Sequence, residues 1–140
     1  PPKPPLASHC NPGDTTNALN DGLLPRTSGD QNVPRMTWWD HQGTQEWVAY
    51  AFEQPRKLSY SEVYWFDDTG VGQCRVPTSW RLLWKDGEEW RPVEGEPAYG
   101  VAPDQFNRAT FQPVTTPEIR LEVQLQPGLC GGILEWRVGE

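Results

Sequence analysis

Apolar and polar residues alternate with a period of two over much of this chain. The clearest case is Glu118–Gln126, where Ile119, Leu121, Val123 and Leu125 alternate with Arg120, Glu122 and Gln124. That alternation gives one buried and one wet face, the signature of a half-buried strand. The same pattern predicts strands over Glu46–Glu53, Leu58–Phe66, Ser79–Lys85, Glu89–Val93, Arg108–Gln112 and Leu134–Val138. Turn chemistry separates them: Gln54-Pro55, Lys85-Asp86-Gly87, Pro103-Asp104, Thr116-Pro117 and Gln126-Pro127-Gly128. Lys85-Asp86-Gly87 between Trp84 and Trp90 reads as a hairpin. Only Thr15–Leu19 suits a short helical turn, and fifteen prolines with thirteen glycines exclude long helices. Many short strands at regular spacing predict an all-β fold, an antiparallel β-sandwich.

A chain of 140 residues is one domain by size and long enough to bury a core. Pro1-Pro2-Lys3-Pro4-Pro5 reads as the end of a stiff linker, which assigns residues 1–6 to a linker remnant and 7–140 to a single module cut from a longer protein. The net charge of −7 and the scattered Lys and Arg argue against nucleic acid or an anionic membrane as partner. No apolar run approaches the roughly 20 residues that span a bilayer.

Five of the eight tryptophans, Trp47, Trp65, Trp80, Trp84 and Trp136, fall inside strand patterns and are assigned to packing; Trp90, after the hairpin, is expected half-buried. Trp38 and Trp39 stand apart. They sit side by side in Thr37-Trp38-Trp39-Asp40-His41-Gln42-Gly43-Thr44, with polar residues on both sides. An indole ringed by hydrogen-bonding groups suits a pyranose, which offers apolar C–H faces and a rim of hydroxyls. One of the two indoles is expected to close the sandwich and the other to serve as a platform.

Catalysis finds little support. Asp67 and Asp68 are adjacent carboxylates, but neighbours in sequence rarely reach the opposed geometry, about 5–10 Å, that glycoside hydrolysis requires. There is no Gly-x-Ser-x-Gly elbow, phosphate loop or His-Glu-x-x-His helix. A Cys74–His41 nucleophile pair is a weak signal, and the chain is read as non-enzymatic. Cys10, Cys74 and Cys130 allow two readings: three reduced thiols, or one disulfide plus a free cysteine in an exported protein. Cys74 and Cys130 lie in Gly-rich loops and would pair if those loops met. No Cys-x-x-Cys spacing suggests zinc.

Taken together, these segments resemble the discoidin, or galactose-binding-like, sandwich family, which includes coagulation factor V/VIII type C domains and family 32 carbohydrate-binding modules. The likeness runs from about Ala7 to Val138. It is carried by Ala7-Ser8-His9, the Asn17-Ala18-Leu19-Asn20-Asp21-Gly22 loop, the Glu46–Phe52 strand, the Ser79–Trp90 hairpin and the closing Ile133–Val138 strand. The Trp-Trp-Asp-His run and Asp67-Asp68-Thr69-Gly70-Val71-Gly72-Gln73-Cys74-Arg75 look like ancillary modules of bacterial glycoside hydrolases.

The resemblance implies a discoidin-like jelly roll and two sites. The first is a structural Ca²⁺ site of hard oxygen ligands: Asp21, carbonyls near Ala18 or Leu19 and of Leu24, a hydroxyl from Thr27 or Ser28, and Glu135. One extra residue before Asp21, relative to the commonest family spacing, blurs which carbonyls take part. The second is a loop-end sugar site with Trp38, Trp39 and His41 on one wall and Asp67, Asp68 and Arg75 on the other. Gln73 is a weaker member, and Gly131 and Gly132 could admit a third loop's backbone. Asp-Asp then Arg replaces the family's usual Arg then Asn, a departure from the pattern that goes with the family's galactose preference, so the resemblance does not carry that preference over. The implied role is a monomeric, extracellular or periplasmic module that tethers a parent multidomain enzyme in cis to its carbohydrate. The alternative is a structural or protein-interaction domain that packs on that enzyme and binds no sugar.

Overall fold

Two long strands decide the architecture of the computed structural model, which describes residues 3–140. They are β3 (Gln45–Phe66) and β6 (Phe106–Gln124), alongside β1 (Leu6–Ala7), β2 (Met36–Thr37), β4 (Ser79–Asp86), β5 (Glu89–Pro92) and β7 (Gly132–Gly139). All pairings between these strands are antiparallel. β3 pairs with β6 along both halves, with register shifts between Ala51 and Arg56 and between Leu58 and Tyr60. Each half of that ribbon takes different neighbours. Residues 45–51 and 118–124 carry β1 on one edge and β4–β5 on the other. Residues 60–66 carry β7, which in turn carries β2. The two halves form the two layers of an all-β sandwich, as the alternation predicts.

The sequence reads β3 and β6 as four strands broken at Gln54-Pro55 and Thr116-Pro117. The chain instead runs through both points as extended backbone. Proline has no amide to donate, so it marks an irregularity in the ladder rather than its end. The hairpin forms where expected, with Lys85 opposite Trp90 and Gly87 at φ 63°. The helical stretch is a 3₁₀ turn over Thr16–Asn20, capped by the Thr15 side chain accepting from the Asn17 amide. Of the stretch read as linker, Pro5 is buried and Leu6 pairs with Ala49 in β3; Pro1 and Pro2 lie outside the described residues.

Trp38, Trp65, Trp80 and Trp136 share one core with Leu82, Ile119, Leu121, Leu125 and Ile133. Every one of these indole N–H groups has an acceptor. Trp65 and Trp80 both donate to the Gly100 carbonyl (3.2 and 2.8 Å), Trp136 to the Ser61 hydroxyl (2.9 Å) and Trp38 to the Trp47 carbonyl (3.4 Å). Burying an indole without an acceptor would forfeit much of the gain from its area. Trp47 and Trp90 are half-buried and clasp the Arg120 guanidinium between their rings, at 4.2 and 4.3 Å.

Candidate functional site

Successive side chains of an extended segment point to opposite sides, and this separates the tryptophan pair. Along Arg35-Met36-Thr37-Trp38-Trp39, Met36 and Trp38 turn into the core and are fully buried. Arg35, Thr37 and Trp39 face the other way and line one cleft of about 310 Å³. Trp38 is therefore the pillar and offers no face to a ligand. Trp39 is 39% exposed, the one tryptophan among the described residues with an exposed ring.

Asp14 organises the cleft wall beside it. Its carboxylate accepts from the Thr37 hydroxyl (2.5 Å) and the Asn11 side-chain amide (3.2 Å), and lies 3.5 Å from Arg35 Nε. Arg35 also donates to Gln31 (2.6 Å) and stacks over Phe66 at 4.9 Å, which fixes its plane. Asp68 and Gln73 close the facing wall. Asp68 Oδ1 accepts from the Cys74 amide at 2.8 Å. Cys74 is disulfide-bonded to Cys130, with Cα atoms 4.5 Å apart, and Cys10 is free. The Cys74–Cys130 bond removes Cys74 as a nucleophile and ties the Asp68–Gln73 loop to the loop before β7.

Of the residues singled out from sequence, Trp39, Asp68 and Gln73 meet in the cleft and the others do not. Asp67 spends its carboxylate on its own loop, accepting from Thr69 N (3.0 Å), the Thr69 hydroxyl (2.5 Å) and Val76 N (3.1 Å). Arg75 folds back onto the carbonyls of Gly72 and Cys74, at 2.9 and 2.8 Å. His41 points away from the cleft, toward Glu46 and His9. Glu46 is held below the usual carboxylate range: burial opposes ionisation, but donors from Ser8, Thr44 and His41 outweigh it. Gly131 and Gly132 admit no ligand. A Cβ on Gly131 would come within 2.7 Å of Leu125 and one on Gly132 within 2.5 Å of the Met36 carbonyl, so both allow strands to pack closely. Sequence reasoning misses Asn11, Asp14 and Arg35. The alternation that buries Met36 and Trp38 is the signal that would have placed Arg35 beside Trp39.

The second predicted site centres on Glu135, which is 3% exposed. One oxygen accepts from the Gly22 amide (3.2 Å); the other, Oε1, is buried with no partner. Burial, and then the neighbouring Asp21 carboxyl, push the Glu135 carboxyl up to about 7. Asp21 also caps its own turn through Leu23 N at 2.9 Å. Ser28 is buried and exchanges bonds with Asp104, its hydroxyl accepting from Asp104 N (2.8 Å) and its amide donating to Asp104 Oδ1 (2.7 Å). The Leu24 side chain is exposed. A larger hollow of about 580 Å³ lies alongside Glu135, but its tryptophan, Trp136, is buried under Tyr50.

No protein-family model matches the chain. Solved structures do. A structure of the Streptococcus pneumoniae β-galactosidase BgaA aligns over 97% of this chain and 90% of its own, with 21% identity and a TM-score of 0.81. The family 32 carbohydrate-binding module of Clostridium perfringens NanJ, solved with galactose, aligns over 96% of this chain and 90% of its own, with 16% identity and a TM-score of 0.69. In a fucosidase-like protein of Bacteroides thetaiotaomicron the aligned part is 27% of that chain and 97% of this one, with 14% identity and a TM-score of 0.70. The chain has the discoidin-like sandwich fold of family 32 carbohydrate-binding modules.

Proposed function

We propose that this chain is a non-catalytic carbohydrate-binding module that holds a parent glycan-active enzyme against its glycan. The observation that carries the reading is the exposed Trp39 indole over a cleft walled by Asn11, Asp14, Arg35, Asp68 and Gln73. An indole face contributes about 0.5–1.5 kcal/mol through stacking beyond burial. Carboxylate and guanidinium hydrogen bonds add roughly 1.5–3 kcal/mol each before the cost of ordering. The sum is a micromolar to millimolar binder, which suits a tethered module whose affinity is multiplied by effective concentration. Family 32 modules of this fold that bind sugar, and an aligned segment inside a larger fucosidase-like chain, support attachment in cis. Asp67 and Asp68 are occupied by backbone amides of their own loop, which speaks against a hydrolytic pair.

Calorimetry against a panel of plant and host glycans, galactosides included, tests the reading. Saturable binding to at least one is expected; a flat response across the panel would favour a domain that packs on its parent enzyme instead. Gln73→Ala removes one neutral hydrogen-bonding side chain at the rim and is expected to weaken binding about 3- to 10-fold, with stability unchanged. A larger loss of stability than of affinity would mean that Gln73 supports the loop and not the ligand.

We further propose that Asp21 and Glu135 belong to a structural Ca²⁺ site. The partnerless buried Oε1 of Glu135 beside a second carboxylate fits a hard cation, and backbone carbonyls of the Asn17–Leu24 turn are the natural remaining donors. Bound there, Ca²⁺ supplies charge neutralisation and a bridge between the N-terminal turn and β7. Melting curves with and without chelator are expected to show a higher midpoint in Ca²⁺. In chelator the folded carboxyl of Glu135 keeps its proton above pH 4.5, where the unfolded chain has released it. The folded state then binds more protons, so stability falls as pH rises from about 4.5 to about 7. A midpoint indifferent to Ca²⁺ at neutral pH would remove the site.

A further inference from the structure

Behind Trp39 the chain assembles a cluster that the sugar cleft does not use. His9, Asp40 and His41 each offer one ligating atom, and these three atoms lie within 4.8 Å of one another. The two imidazoles are stacked, with centroids 3.8 Å apart and planes 9° from parallel. His9 and His41 are partly exposed and Asp40 is exposed, so the cluster is open to solvent.

Each ring is anchored through one nitrogen, and the anchor fixes the other. His9 Nε2 lies 2.9 Å from the Trp39 carbonyl. A carbonyl only accepts, so Nε2 carries a proton, and in the neutral ring Nδ1 is the nitrogen with the lone pair. His41 Nδ1 lies 2.8 Å from Glu46 Oε2. The same buried carboxylate accepts from the Ser8 and Thr44 hydroxyls, each at 2.6 Å. A carboxylate accepting from three donors is the ionised form, so His41 donates through Nδ1–H and presents Nε2. A carbonyl behind one imidazole and a carboxylate behind the other are the outer partners that orient metal-ligating histidines.

We propose that His9, Asp40 and His41 form a binding site for a divalent transition-metal ion, with His9 Nδ1, His41 Nε2 and an Asp40 carboxylate oxygen as ligands. Imidazole suits Zn²⁺, Cu²⁺ and Ni²⁺, and two imidazoles with one carboxylate leave a position for water in a tetrahedral Zn²⁺ shell. This donor set differs in kind from the all-oxygen set of Asp21 and Glu135. An ion lies in the plane of each imidazole that binds it, so the rings open from their parallel stack on binding; their partial exposure leaves room for that tilt. The site spans two parts of the chain: His9 follows β1, and Asp40 and His41 follow Trp39. An ion held there clips the N-terminal strand to the segment that carries the sugar platform.

The test uses tag-free protein stripped of metal and kept in excess CaCl₂, titrated with ZnCl₂ by calorimetry. One equivalent is expected to bind, and His9→Ala, His41→Ala and Asp40→Asn should each lose that single-site heat. Asp40→Asn, at an exposed position, should melt as the metal-free wild type does, while His41→Ala, which takes a donor from buried Glu46, should stay folded with a lower midpoint. Imidazole ¹⁵N spectra of the wild type give a second readout independent of any variant: Zn²⁺ should move His9 Nδ1 and His41 Nε2, not the anchored nitrogens. Absence of stoichiometric Zn²⁺ binding, binding retained in the His9→Ala/His41→Ala double variant, or shifts confined to other groups would each overturn the proposal. Glycan binding is a separate measurement, so failure here leaves the sugar reading standing.

Discussion

Trp38→Ala is expected to lower the unfolding free energy by about 3–5 kcal/mol, whereas Trp39→Ala, one residue on, is expected to cost only about 1 kcal/mol of stability and to weaken glycan binding at least about tenfold. Trp38 is fully buried, and its N–H is satisfied by the Trp47 carbonyl in the neighbouring strand. Truncation leaves a cavity that the surrounding strands cannot collapse into; the Trp47 carbonyl keeps its bond from the Ser8 amide at 2.9 Å, so the loss is one of packing. Against a total of about 5–15 kcal/mol for a domain, the loss is severe. Trp39 keeps 39% of its surface exposed and lies outside the core, and the alanine variant retains its backbone, including the carbonyl that holds His9. Removing its ring deletes the stacking face and is expected to cost at least about tenfold in affinity, or about 1.4 kcal/mol. Urea unfolding reads the first variant and calorimetry on the glycan found to bind reads the second. Equal stability losses, or full binding by Trp39→Ala, would refute the division of labour between the two indoles.

That division shows what the sequence carries and what it does not. Strands with one wet face, such as Glu118–Gln124, are written in their own alternation, and Gly87 announces its hairpin because a left-handed turn residue is needed there. The continuity of β3 through Pro55 is not written locally. It depends on β6 being present across the ladder to hold both halves. The cleft divides in the same way. Trp39, Asp68 and Gln73 stand out as an exposed aromatic and polar loop residues. Asp14 and Asn11 lie in an irregular segment without periodicity and reach Arg35 and Thr37 only through tertiary contacts. His41, Asp67 and Arg75 look like ligand residues by type, yet Glu46, Thr69 and the Gly72 and Cys74 carbonyls claim them first. Residue type states what a side chain can bind, and the fold decides whether that capacity is already spent.

Removing the Cys74–Cys130 bond is expected to cost about 4 kcal/mol, because the 56-residue separation closes a long loop in the unfolded chain. The double variant Cys74→Ala/Cys130→Ala is the cleaner test, since a single replacement leaves an unpaired, buried thiol. Two backbone bonds lie beside the staple: Arg75 N donates to the Cys130 carbonyl and Cys130 N to the Gln73 carbonyl, both at 3.0 Å. The Cys74 amide also holds Asp68 Oδ1, so the staple sits directly behind one wall of the cleft. Stability and binding therefore separate the two roles of the bond. If it acts only on the unfolded chain, urea unfolding shifts and affinity for the glycan does not. If it also positions Asp68 and Gln73, affinity falls as well, and Trp39 stacking alone remains. The second outcome is expected, because the staple and the two backbone bonds beside it together join the end of the Asp68–Gln73 loop to the segment before β7, and the staple is the covalent one of the three. A double variant with wild-type affinity would show that these backbone bonds hold the loop without the staple, and one that unfolds at the wild-type urea concentration would refute the expected loss of stability.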